Sequence, residues 1–123
     1  MPHPANRLNS IRLVRGQTKV LTVVVKTQAG APVNLNGATA YFTARYLTST
    51  GAVAISKVSP DGIEITDPVN GICVITLSSL DTTVAAGKYM YDMWVEIPTD
   101  PPDRHPVVRS AEMFVEEAIT QFA

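Results

Sequence analysis

The chain has 123 residues, 46% of them apolar and 17% charged, with a net charge of −1. That is enough for one core in one domain, and too apolar for a disordered chain. The charge balance leaves no basic surplus for nucleic acid or an anionic membrane, so neither is expected as a partner. The longest apolar runs, such as Val23 to Val25, fall far short of a bilayer span. The first ten residues, MPHPANRLNS, lack the apolar centre of a secretory signal, so synthesis in a cytoplasm is expected. Cys73 is the only cysteine, so no intrachain disulfide forms and the core itself must hold the fold.

Taken in order, residues 1–10 read as a flexible or extended arm, idle or laid on a neighbouring subunit. Ile11 to Val14 begins the extended segments. Arg15-Gly16-Gln17 turns the chain into a strand over Thr18–Thr27, where Leu21, Val23 and Val25 share one face. Its β-branched residues favour strand over helix. Gly30 and Pro32 mark one turn, and Asn34 to Gly37 a second. Thr39 to Leu47 follows as a strand with Ala40, Phe42, Ala44 and Tyr46 inward and Tyr41, Thr43 and Arg45 outward. Ser49-Thr50-Gly51 makes a hairpin turn into Ala52–Val58. After Pro60-Asp61-Gly62 come Ile63 to Ile65 and then Ile72 to Leu77, the latter with Cys73, Ile75 and Leu77 on one face. Ser78 to Ala86 is the one stretch suited to a helical turn, capped by Ser79 or Asp81 and ended by Gly87. Tyr89 to Ile97 is a strand, Pro98 to Pro106 a loop with four prolines, and Val107 to Glu116 the last strand. Short strands with turn signals between them predict an all-β, immunoglobulin-like antiparallel sandwich over residues 11–117, with a tail over 118–123.

The stretch from Asp81 to Val95, DTTVAAGKYMYDMWV, is the most specific feature. A polar turn leads through Ala86-Gly87 into a strand whose Tyr89 stands where immunoglobulin-like sandwiches carry a corner-pinning tyrosine. With Tyr89, Tyr91, Met93 and Val95 inward, Met90, Asp92, Trp94 and Glu96 face out. If the last strand pairs here with Phe114 outward, Met90, Trp94 and Phe114 would form one exposed apolar patch. Alternatively, a bulge flips the register and Trp94 joins the core.

Catalytic and metal chemistry find little footing. His3 and His105 lie in proline-rich segments, and His105 with Asp103 and Asp100 falls short of a convincing ligand set. Cys73 reads as a small buried hydrophobe, not a nucleophile. Asp61, Glu64 and Asp67 are close in sequence, yet too few oxygens surround them for a Ca²⁺ site. No phosphate-binding glycine loop occurs. No catalytic residue, metal site or cofactor is therefore expected, and the chain reads as a non-enzyme. Arg7, Arg12, Arg15 and Lys19 gather near the N-terminus, where they can face an acidic protein or simply solvent.

Arg15-Gly16-Gln17-Thr18, the run from Gly30 to Thr39, Gly62 to Ile65, Asn70-Gly71, and Leu77 to Tyr91 with its Gly-Lys-Tyr-Met-Tyr together resemble small immunoglobulin-like domains of tailed-bacteriophage virion proteins. The N-terminal domain of the phage baseplate upper protein is the best-known example. The resemblance covers roughly residues 11–117 and implies a virion structural protein, made in the host cytoplasm, that works by surface burial. Its partners would be other virion proteins, the major capsid protein or a tail or baseplate protein, and it would form homo-oligomers, trimers among them. Baseplate relatives continue into a stalk and a receptor-binding or adaptor region. This chain stops soon after its last strand, which favours a capsid decoration or cement role over a tail or baseplate accessory. The partner-binding candidates are Met90, Trp94, Phe114, Arg7, Arg12, Pro101 and Pro102. A carbohydrate-binding module for host attachment, built on Tyr41, Trp94 and Phe114, is the reading from another class.

Overall fold

The computed structural model describes residues 10–120. The proposed flexible arm, with Arg7 and His3, lies outside the described residues apart from the exposed Ser10. Eight strands follow one another: β1 (Ile11–Val14), β2 (Lys19–Val24), β3 (Thr39–Tyr46), β4 (Val53–Val58), β5 (Ile63–Asp67), β6 (Ile72–Leu77), β7 (Gly87–Ile97) and β8 (Asp103–Glu116). They form a five-stranded sheet, β1-β8-β7-β3-β4, packed on a three-stranded sheet, β2-β6-β5. That is the immunoglobulin order: β2, β6 and β5 stand as strands B, E and D, and β3, β7 and β8 as C, F and G. One departure from an all-antiparallel sandwich is β1, which runs parallel to β8.

The core is the set of inward positions that alternation selects. Ala40, Phe42 and Ala44 of β3, Cys73, Ile75 and Leu77 of β6, and Tyr89, Tyr91, Met93 and Val95 of β7 are all buried. Phe42 and Tyr91 stack with ring centroids 5.3 Å apart. Tyr91 sits two residues after the corner tyrosine, where antibody domains place the second cysteine of their intersheet disulfide. An aromatic pair thus fills the space that a Trp–disulfide cluster fills there. Such a pair adds about 0.5–1.5 kcal/mol beyond area burial.

The corner between β6 and β7 is built as its sequence suggests. The Tyr89 hydroxyl donates to the Ala85 carbonyl four residues upstream. Ser78 and Asp81 cap each other: the Ser78 amide donates to Asp81 Oδ2 at 2.8 Å, and the Asp81 amide to Ser78 Oγ at 3.1 Å. Of the two expected caps, Asp81 takes part and Ser78 stands in place of Ser79, and the stretch forms turns, not a helix. Thr82, the one fully buried polar residue among those described, donates to the Gln17 carbonyl at 2.7 Å. This bond ties the corner to the β1–β2 turn. Lys57 of β4 reaches across to Asp81 at 2.9 Å.

Three expectations are corrected. Tyr46 takes the inward side, opposite Tyr89, whose ring it meets edge-on, but as the last residue of β3 it is 43% exposed and borders the core without being buried in it. The shift in β3–β4 pairing after Ala44 places its extra residue on β4, so the alternation of β3 runs on. The loop predicted over Pro98–Pro106 is shorter, because β8 already begins at Asp103 and pairs with Glu96 and Ile97. Pro106 sits inside that strand. It is tolerated because only Met113–Glu116 of β8 pair with β1, so the edge beside Pro106 needs no ladder amide. Finally, the expected apolar patch is split, as described next.

Candidate functional site

Trp94 projects from the outer face of the five-stranded sheet and is 38% exposed. A ladder shift does fall beside it: Tyr91 pairs with Ala111, Met93 with Val108 and Trp94 with Pro106. The extra residues lie on β8, so the alternation of β7 runs on undisturbed and Trp94 stays outward. The indole Nε1–H donates to Asp92 Oδ2 at 3.0 Å. The bond ties the indole to the residue two positions back on the same face of the strand.

Across the sheet, Tyr41 of β3 stands directly opposite Trp94, and Val58 of β4 opposite Tyr41. Val58, Tyr41, Trp94 and Pro106 therefore make one row over four strands. Polar groups frame it. The Tyr41 hydroxyl donates to Glu96 Oε1 at 3.2 Å, and Arg104 Nε donates to Glu96 Oε2 at 2.7 Å. The hydrogen bond from Arg104 holds the Glu96 carboxyl below its ordinary range. The bond to Glu96 in turn pushes the Tyr41 phenol up. Arg45 is anchored to the Gly51 carbonyl at 3.0 Å. Between these groups lies a shallow depression of about 430 Å³, lined by Tyr41, Thr43, Arg45, Asp92, Trp94 and Arg104.

Met90 and Phe114 are not part of this row. Met90 lies four residues from Trp94, about 13 Å along the strand, with Asp92 between them. It pairs with Glu112, while Phe114 pairs with Lys88. Phe114 is half-buried beneath Arg12, whose guanidinium stands 4.7 Å from the ring centroid. Arg12 also approaches Glu116 at 4.0 Å. The three apolar residues expected to form one patch thus form two separate features. Pro101 and Pro102 are exposed in the turn between β7 and β8, at the Trp94 end of the hairpin. Arg7 lies outside the described residues.

The remaining chemistry-bearing residues are dispersed. Cys73 is buried, which pushes its thiol up. Burial likewise pushes the Tyr91 phenol up to about 12. His105 pairs with Asp103 at 2.9 Å. Asp67 binds the Asn70 side chain at 2.9 Å, while Glu64 points to solvent. Among the described residues no three His, Cys, Asp or Glu side chains come together to hold a metal ion. The sequence placed Tyr41 outward but gave no sign that it faces Trp94, because cross-strand register depends on pairing partners far along the chain. No protein-family model matches the chain, and no curated protein matches it.

Proposed function

We propose that the chain is a structural protein of a tailed-bacteriophage particle, acting by protein–protein contact on the outer face of its five-stranded sheet. The observation that supports this reading is the exposed row centred on Trp94 and Tyr41, flanked by the Glu96–Arg104 pair. Tryptophan, tyrosine and arginine are the side chains on which protein contacts most often depend. The prolines of the β7–β8 turn extend the same end of the sheet and lose little entropy on docking. The capsid surface, as a decoration or cement site, is the first place to look, and the tail or baseplate the second. A reconstruction of the source particle tests the proposal. Density for this chain on either lattice, with the Trp94 row against a neighbour, supports it. Its absence from the particle overturns it.

A carbohydrate-binding module is the second reading, carried by the flat indole beside Tyr41 and its surrounding Asp92, Arg45 and Arg104. Titration of soluble oligosaccharides from the host surface against Trp94 fluorescence separates the two. Saturable quenching that Tyr41→Ala weakens favours the sugar reading, and a flat response removes it.

A further inference from the structure

We infer that the neighbour on the Trp94 face is a second copy of the chain. The two copies pack their five-stranded sheets face to face about a two-fold axis that passes between Arg45 and Asp92, so that Arg45 of each copy meets Asp92 of the other. The inference rests on the reading of this face as a contact surface, and it names the partner.

Charge on the face carries the argument. Arg45 and Asp92 are half-buried and border the same depression, one row apart on the neighbouring strands β3 and β7. The two do not pair with each other. Arg45 turns to the Gly51 carbonyl at 3.0 Å, and Asp92 accepts from the Trp94 indole at 3.0 Å. The charges around them are matched: Arg104 binds Glu96, and Lys88 binds Glu112. All 11 acidic residues of the sequence lie between Asp61 and Glu117, so residues 1–9 and 121–123 add no acidic side chain that could complete Arg45. A half-buried guanidinium on one neutral acceptor still has donors to give, and a carboxylate is the acceptor that suits them best.

The aromatic row favours protein over sugar as the source of that carboxylate. The Tyr41 hydroxyl is given to Glu96 and the indole N–H to Asp92. The row thus meets its polar needs internally and offers rings, where a sugar would need partners for its hydroxyls. Apolar area with one carboxylate set in it is the complement, and this same face has both. Opposite charges side by side on one face complement a copy of themselves, because a two-fold axis between them exchanges the pair.

The register supplies a second match. Val53 of β4 pairs with Arg45 on the side away from β7, while Trp94 stands one row beyond Asp92 in the opposite direction along the strands. The axis that joins Arg45 to Asp92 therefore sets Trp94 of one copy beside Val53 of the other. Val53 is 50% exposed in the single chain, and this contact covers it. Four strands about 4.8 Å apart and eight residues long present about 500 Å². Twice that area is at the low end for specific interfaces, so the dimer is a reversible one.

Sedimentation equilibrium of the full chain tests the inference, with Arg45→Glu, Asp92→Arg and Val53→Asp. Wild-type protein should pass from monomer to dimer between about 1 µM and 1 mM. Emission from Trp94, the only tryptophan, should move to shorter wavelength as it does so. Each charge reversal sets like charges together at two places and should weaken association by more than about tenfold. Val53→Asp should weaken it too. An equimolar mixture of the two charge reversals should restore it, because the introduced charges then meet in one half of the contact and the native Arg45 and Asp92 meet in the other. A variant that loses its melting transition is replaced by Arg45→Gln or Asp92→Asn, each expected to weaken association about threefold or more. A chain that stays monomeric to about 1 mM overturns the inference. So does a dimer indifferent to both reversals, or a mixture that associates no better than its parts. A monomer in solution whose Trp94 row lies against another protein in the particle overturns it and leaves the contact reading in place. A dimer of a chain absent from the particle does the reverse.

Discussion

Replacing Asp81 by asparagine removes one charge from the link between the β6–β7 corner and β4, and little else. Asparagine still accepts from the Ser78 amide, so the corner keeps its cap. What goes is the ionic contact with Lys57 at 2.9 Å, between side chains only 21% and 17% exposed. A hydrogen bond to a charged group contributes about 1.5–3 kcal/mol. For a chain of this size that corresponds to about 6–12 °C in Tm. The pH dependence supplies a second readout. Burial alone would raise the Asp81 pKa, but Lys57 and the Ser78 donors outweigh it and hold the carboxyl below its ordinary value of 3.8. A carboxyl depressed in the native state stabilises the fold above its unfolded pKa and stops doing so as pH falls through its native one. The gap in Tm between wild type and Asp81→Asn should therefore be full at pH 7 and close as pH falls below the ordinary value. Scanning calorimetry of both proteins from pH 7 down to about 2.5 follows it. A gap under about 2 °C at neutral pH, or one that does not change with pH, refutes the assignment.

Tyr89→Phe keeps the ring packing and deletes the donor to Ala85, so it should lower stability by about 0.5–1.5 kcal/mol in urea unfolding; a neutral result would show that the corner is held by packing alone. Gly71 has φ +71°, and a Cβ there would lie 2.6 Å from the Val25 carbonyl oxygen. Gly71→Ala should therefore cost more than about 2 kcal/mol, measured by the same unfolding curves, and a change below that removes the steric argument. Cys73 is fully buried and its thiol is pushed up by that burial, so it should resist alkylation in native buffer and react at once in denaturant; prompt native labelling would contradict its place in the core. Trp94→Ala should leave unfolding cooperative while lowering attachment to the particle, and unchanged attachment would remove the row from the proposed contact.

Much of the fold was legible in the chain because it rests on local rules. Period-two alternation put Cys73, Ile75 and Leu77 on one face of β6, and Tyr89, Tyr91, Met93 and Val95 on one face of β7. The turn before Tyr89 announced the corner. The same alternation placed Trp94 outward, but could not decide between exposure and a register flip, since that depended on which of two paired strands carried the extra residues. Pro106 reads as a loop residue until the structure shows that the edge beside it has no partner among the described residues. The patch of Met90, Trp94 and Phe114 failed for a related reason. Sequence fixes which face a side chain takes, and only pairing fixes which neighbours share its row. Tyr41 opposite Trp94 and Lys57 against Asp81 are contacts between residues 53 and 24 positions apart in the chain. Local pattern sets the strands and their inward faces; the order and register in which the sheets assemble decide what the outward faces and unpaired edges have to offer.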